Sequence, residues 1–174
     1  MNLSKQNLTR QAIVAALYAV LTWAIPALSY GPIQFRLSEV MTLLAFFNPQ
    51  YVVGLTVGCA LSNIISSLGM IDIVVGTFAT FCAVTAMSKI KNIWIASLMP
   101  AFSAFIIAAE IVIVTKEPAA YFAIAGQIFL SELIIVTGLG VVLFKMMMKN
   151  QRFNDLVMGR DIQRLGLVLS LIHI

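Results

Sequence analysis

Residues 30–47 read YGPIQFRLSEVMTLLAFF, and this stretch decides how the rest of the chain is understood. Gln34, Arg36 and Glu39 stand together at the mouth of an apolar run that ends in Ala45, Phe46 and Phe47. A helix beginning near Ile33 puts Arg36 and Glu39 three residues apart on one face, where they can pair. Tyr30, Gly31 and Pro32 form a turn just ahead of it. The run covers only about 15 residues, or ~22 Å of helix against a hydrocarbon layer of ~30 Å. The preceding loop is therefore expected to dip inward, and irregular backbone at that depth needs protein or a water-filled cavity around it. An arginine and a glutamate on such a segment mark a functional site by default.

The surroundings of that stretch set the class. Of 174 residues, 61% are hydrophobic and 10% charged, and the mean hydropathy is +1.00. A soluble domain of this size needs far more polar surface. The expected architecture is all-α: an integral membrane bundle of six helices forming one domain over residues 1–168. The apolar segments cover about residues 9–28, 33–47, 51–66, 71–87, 93–115 and 119–148. The first is nearer to spanning length than to the short apolar core of a signal peptide, so a retained helix is expected. The net charge of +4 comes from short basic clusters between spans and is no nucleic-acid signal. Cys59 and Cys82 lie inside apolar segments and read as small packing residues rather than a disulfide.

Positive charge orients the bundle. With the N-terminus inside, Lys5, Arg10, Lys89, Lys91, Lys145, Lys149 and Arg152 fall on the cytoplasmic side, and Arg36 and Lys116 outside. Both termini are then cytoplasmic. Arg36 and Glu39 begin the descent of the second segment, Asn63 lies near the outer end of the third, and Asp72 at the outer start of the fourth. Glu110 sits near the outer end of the fifth, and Glu132 lies ~20 Å below Ala119, close to the midplane. The ionisable residues crowd the outer half, as in a binding pocket open to the outside.

Each has a plainer reading. Arg36 and Glu39 can form a structural ion pair. Asp72 can cap its helix and face water, and Glu110 can snorkel to the interface. For Glu132, the one plain role is pairing with Arg36, because a midplane carboxylate without a partner is costly.

Small residues supply a second pattern. Ala12 with Ala16, and Ala15 with Ala19, form overlapping small-x-x-x-small pairs, and Gly54, Gly58 and Ser62 continue the spacing on the third segment. Such faces let backbones approach closely in lipid. The alanines are expected to form an exposed docking face for another membrane subunit, with packing inside the bundle as the alternative.

Enzymatic chemistry has no foothold. The chain has no GxxxxGK[ST], no HExxH and no Ser/His or Cys/His set, so no catalytic residue, metal or cofactor is expected. The halves show no obvious inverted repeat of the secondary-transporter kind. The last six residues, Leu169 to Ile174 (LSLIHI), match the in-frame translation of a transposon mosaic-end sequencing adaptor. They are read as an adaptor-derived tail that includes the one histidine, His173.

The alanine-spaced first helix, QFRLSE at 34–39, Gly58 to Asn63, LGMID at 68–72 and Glu132 together resemble the QueT family over residues 8–150. QFRLSE and LGMID are the most specific parts. The resemblance implies the substrate-binding S component of an energy-coupling factor (ECF) transporter in a bacterial plasma membrane. It implies capture of a queuosine precursor, a 7-deazaguanine base with an aminomethyl or nitrile group. It also implies a membrane T subunit docked through the first helix and two cytoplasmic ATPase subunits. Gln34, Arg36, Glu39, Asn63, Asp72 and Glu132 are the candidate substrate-binding residues, and Ala12, Ala15, Ala16 and Ala19 the candidate docking residues. Ser131, where glycine is expected, and Glu110 depart from the pattern. Another vitamin-like solute, or a membrane scaffold with a purely structural polar cluster, are the competing readings.

The chemistry is compatible with such a base. Its ring N–H and exocyclic amine present two adjacent donors that one carboxylate can accept. Its carbonyl needs a donor from Arg36, Gln34 or Asn63. Tyr30, Phe35 and Tyr121 are candidates to cover the flat ring.

Overall fold

A computed structural model of the chain describes residues 5–31 and 34–158, and every regular element within them is helical. The adaptor-like tail and His173 lie outside the described residues. Helix α1 (Lys5–Ala24) stops before Pro26, whose ring disfavours helical backbone at Ile25, and the short turn α2 (Pro26–Ser29) follows. Helix α3 (Leu37–Phe47) opens as a seven-residue 3₁₀ helix, Leu37–Leu43, and finishes as one α-turn. Helix α4 is Tyr51–Ile65, α5 Met70–Lys89, α6 Ile93–Thr115 and α7 Pro118–Met147; α8 (Gln151–Met158) closes the described chain. The start of α6 is capped by Asn92, whose Oδ1 accepts from the N–H of Trp94 and Ile95 at 2.9 and 3.4 Å. Helices α5, α6 and α7 are long and apolar enough to cross a membrane, whereas α3 and α4 are apolar but shorter.

The helices pack in the order α1, α4, α5, α6, α7, and α3 closes the circle between α7 and α1 while also touching α5. No residue of α3 is exposed. This is why so short a helix needs no lipid-length apolar surface: its neighbours supply the surroundings. The packing of α1 on α4 rests on glycine. A Cβ on Gly58 would lie 2.8 Å from Tyr18 Cβ and 3.0 Å from the Ala15 carbonyl oxygen. One turn away, Gln11 Oε1 accepts the Gly54 N–H at 2.7 Å. The Gly54–Gly58 spacing therefore serves packing within the bundle.

That contact divides the alanines. Ala15 and Ala19 are buried, whereas Ala12 and Ala16 lie on the exposed face with Ile13, Leu17 and Val20. The expectation of one exposed alanine face is corrected: the buried pair is used up inside the bundle, because the two overlapping pairs point to different sides of the helix.

The two ends of the bundle differ in chemistry. Around the C-terminal end of α3 lie Phe46, Phe47, Met87, Ile93 and Phe144, with the rings of Phe47 and Phe144 stacked at 5.4 Å. Helix α8 folds against this end through Phe153, 6.1 Å from Phe144, and through Asn48 Nδ2, which donates to the Val157 carbonyl at 3.4 Å. Around the N-terminal end of α3 the buried side chains are polar.

Candidate functional site

The polar end is built on an irregular loop. Gln34 has φ +47°, a left-handed conformation that disfavours a side chain, and its N–H donates to the Gly31 carbonyl at 2.9 Å. The Arg36 N–H returns to the Gln34 carbonyl at 3.0 Å, leaving Arg36 extended just ahead of the 3₁₀ helix. A serine departure helps to hold the loop: Ser131 Oγ on α7 donates to the Gln34 carbonyl at 3.2 Å.

This geometry removes the helical spacing on which Arg36 could pair with Glu39. Helix α3 begins at Leu37, not near Ile33, so Arg36 lies outside it. Arg36 Nε donates to the Ser29 carbonyl at 3.2 Å, Nη2 stands 3.8 Å from Asp72 Oδ2, and the guanidinium lies 5.4 Å from the centre of the Tyr30 ring. Glu39 instead accepts the hydroxyl of Tyr18 on α1. Thr22, one turn further, shares a 2.7 Å hydrogen bond with Ser38.

Asp72 is not a water-facing cap. It lies in the first turn of α5, where the helix dipole favours an acid, but is only 1% exposed; the N-cap position belongs to Gly69, with φ +71°. Asn63 sits against it, Nδ2 donating to the Asp72 carbonyl at 3.0 Å. Gly76 makes room for both: a Cβ there would meet Asn63 Nδ2 at 2.6 Å and Asp72 Oδ1 at 2.7 Å. Asn63 was expected as a donor to a ligand carbonyl, but its amide N–H is engaged here and its oxygen is the group left over.

Glu132, on α7, is 6% exposed and faces inward, where its charge interacts with those of Glu39 and Arg36. Glu110, on α6, is 2% exposed and does not snorkel; its charge interacts with Asp72 and Arg36. Arg36, Glu39, Asn63, Asp72 and Glu132 thus lie together, and Glu110 joins them.

Buried oxygens without a hydrogen-bond donor gather here. They are Asn63 Oδ1, both carboxylate oxygens of Asp72 and of Glu110, and Glu132 Oε2. All six are acceptors. Beside them opens a cavity of about 330 Å³ whose walls include Tyr30, Gln34, Ser66, Ser67, Ile111 and Gln127. Such a volume is of the size that holds small ligands. Of the candidate site residues only Gln34 reaches its wall, and Arg36, Glu39, Asn63, Asp72 and Glu132 do not line it. Tyr30 is the one of the three expected ring-covering aromatics on that wall, and its hydroxyl donates to the Ser62 carbonyl. Phe35 packs on the apolar core instead, and the Tyr121 hydroxyl donates to the Phe105 carbonyl at 3.3 Å.

The residues missed from the sequence are Tyr18, Thr22, Ser38, Gly76 and Gln127. A signal existed for the first two. Gln11, Tyr18 and Thr22 fall at i, i+7 and i+11, a polar stripe down one face of α1. Among the described residues, no group of three His, Cys, Asp or Glu side chains is placed to hold a metal ion.

Known proteins resemble this chain in sequence. The QueT transporter family matches residues 8–149. A queuosine precursor transporter, QueT, of Lactococcus lactis subsp. cremoris is 39% identical over 124 residues, 62% of this chain and 73% of the relative. No solved structure matches the chain. The chain belongs to the QueT transporter family, and it is a membrane protein.

Proposed function

We propose that this QueT family member is the substrate-binding S component of an ECF-type transporter, capturing a queuosine precursor from outside a bacterial cell. It spans the plasma membrane six times with both termini cytoplasmic. A membrane T subunit and two ATPase subunits drive release to the inside. The observation that carries the binding role is the group of six buried acceptor oxygens around Arg36, beside a cavity of ligand size. Buried acceptors without donors are costly in a membrane protein, and a donor-rich base satisfies them. One carboxylate accepts the ring N–H and exocyclic amine as a pair, and Arg36 is a donor for the ring carbonyl. Tyr30 and Gln34 line the way in.

A scaffold role is favoured by a different observation: Tyr18–Glu39, Thr22–Ser38 and Arg36–Asp72 tie α1, α3 with its preceding loop, and α5 together without any ligand. Calorimetric titration of the purified protein with 7-deazaguanine bases separates the readings. Saturable binding is expected; none at millimolar base gives the cluster to the scaffold. The partner reading is tested at Ala16, which is exposed beside Ala12 on α1. Ala16→Trp is expected to prevent co-purification with the T subunit and to leave base binding within about twofold, because the indole holds the backbones apart. Assembly that survives the change removes this face from the interface.

A further inference from the structure

Gln127 stands ~13 Å along α7 from Pro118, inside a segment apolar enough to cross a membrane. It is exposed, and among the described residues its side-chain amide has no hydrogen-bond partner. A primary amide turned to hydrocarbon is costly, because lipid offers it neither donor nor acceptor. Gln127 instead forms part of the wall of the cavity beside Tyr30.

Its neighbours fix the face of α7 on which it lies. Ile124, three residues before it, lines the same cavity, and Ser131, one turn after it, donates to the Gln34 carbonyl at 3.2 Å. Gln127 is thus on the side of α7 turned to the loop that carries Gln34. Gln34 lines the cavity too, and its side-chain amide is likewise without a partner among the described residues. Its left-handed backbone, φ +47°, is costly for a residue with a Cβ and persists where the surroundings hold it. Elsewhere on the wall, the Tyr30 hydroxyl donates to the Ser62 carbonyl and Ser66 Oγ accepts the Leu68 N–H at 3.3 Å. No acid or base among the described residues lines this cavity, so the two amides are its long uncommitted polar groups.

We propose that Gln127, together with Gln34, binds the ligand through an uncharged edge that presents a donor and an acceptor side by side. A primary amide offers a carbonyl acceptor and N–H donors, so it meets such an edge with two hydrogen bonds. An apolar ligand leaves both amides unsatisfied, and an ionised carboxylate sets negative charge against their carbonyls. The inference deepens the precursor reading above and rests on it. In a 7-deazaguanine the pyrrole N–H and the neighbouring ring nitrogen form this kind of edge, separate from the N–H and amine edge that a carboxylate accepts.

Calorimetric titration of the full chain in detergent with 7-deazaguanine, alongside melting of each variant, tests it. Gln127→Leu is expected to weaken binding about tenfold, the loss of two neutral hydrogen bonds. Its melting temperature is expected to hold or rise, because leucine suits an apolar helix better than glutamine does. Gln127→Glu keeps the shape but offers only acceptors, and is also expected to weaken binding about tenfold. Three results overturn the role of Gln127 and leave the precursor reading standing. They are a leucine variant that binds as the wild type does, one that loses affinity and melting temperature together, and a glutamate variant that binds more tightly. A wild type that does not bind the base ends both.

Discussion

The two ends of α3 share one helix and one degree of burial, yet they are built on opposite rules. At the Phe46–Phe47 end, apolar rings fill the space and close contacts leave little polar chemistry to satisfy. At the Arg36–Glu39 end, equally buried side chains are polar, and six of their oxygens have no donor. Burial alone therefore does not define a core. One end is finished by its own packing, and the other is finished only by something that brings donors.

The comparison breaks most readily at the apolar end. Phe47→Ala is expected to lower stability by about 3–5 kcal/mol, because it opens a cavity against Phe144 that the neighbouring helices cannot close. Melting of the detergent-solubilised variant reads the loss. Base affinity of the protein that remains folded should stay within about twofold. A large loss of affinity from this distant end would mean that the two ends are not separable.

At the polar end the expected response is inverted. Under the proposed function Glu132→Gln weakens base binding by about one to two orders of magnitude, since a charge-assisted hydrogen bond is worth roughly 1.5–3 kcal/mol. Melting should change little, because a neutral amide is cheaper to bury than a carboxylate without a donor. Unchanged affinity with a collapsed melting point would make Glu132 a structural partner of Arg36. The smallest effect belongs to the link between the two kinds of packing. Thr22→Val removes the hydroxyl shared with Ser38 and the Tyr18 carbonyl, and should cost about 1 kcal/mol in the same melting experiment. A loss several times larger would show that α1 and α3 are held chiefly by that contact.

Sequence reading found the helical class, the loop ahead of α3 and the convergence of its polar residues, because apolar periodicity and isolated charges are local signals. It did not find which charges pair. Helical spacing offers Glu39 as a partner for Arg36 only if the helix begins before Arg36, and it begins after it. The partners that replaced it, Asp72 and Tyr18, come from 36 and 21 positions away, which no local rule supplies. Glu110 was misplaced for a related reason. Distance from the helix end bounds how far a side chain must reach to water, but it does not say which way the side chain faces.

Directly after Glu132, α7 widens into a π-helix over Leu133–Gly140, packed on the narrow 3₁₀ segment of α3. Gly140 permits the fit, since a Cβ there would lie 2.9 Å from Leu43 Cδ1. In the language of insertion and deletion, a π segment is an α-helix that has absorbed extra length without turning its two ends relative to each other. Elsewhere in a helix, deleting one residue rotates everything beyond it by about 100° and moves the buried face to the outside. Between 133 and 140 the same deletion has somewhere to go. It draws the wide turns back toward α geometry, and both Glu132 and Phe144 keep the directions in which they now point.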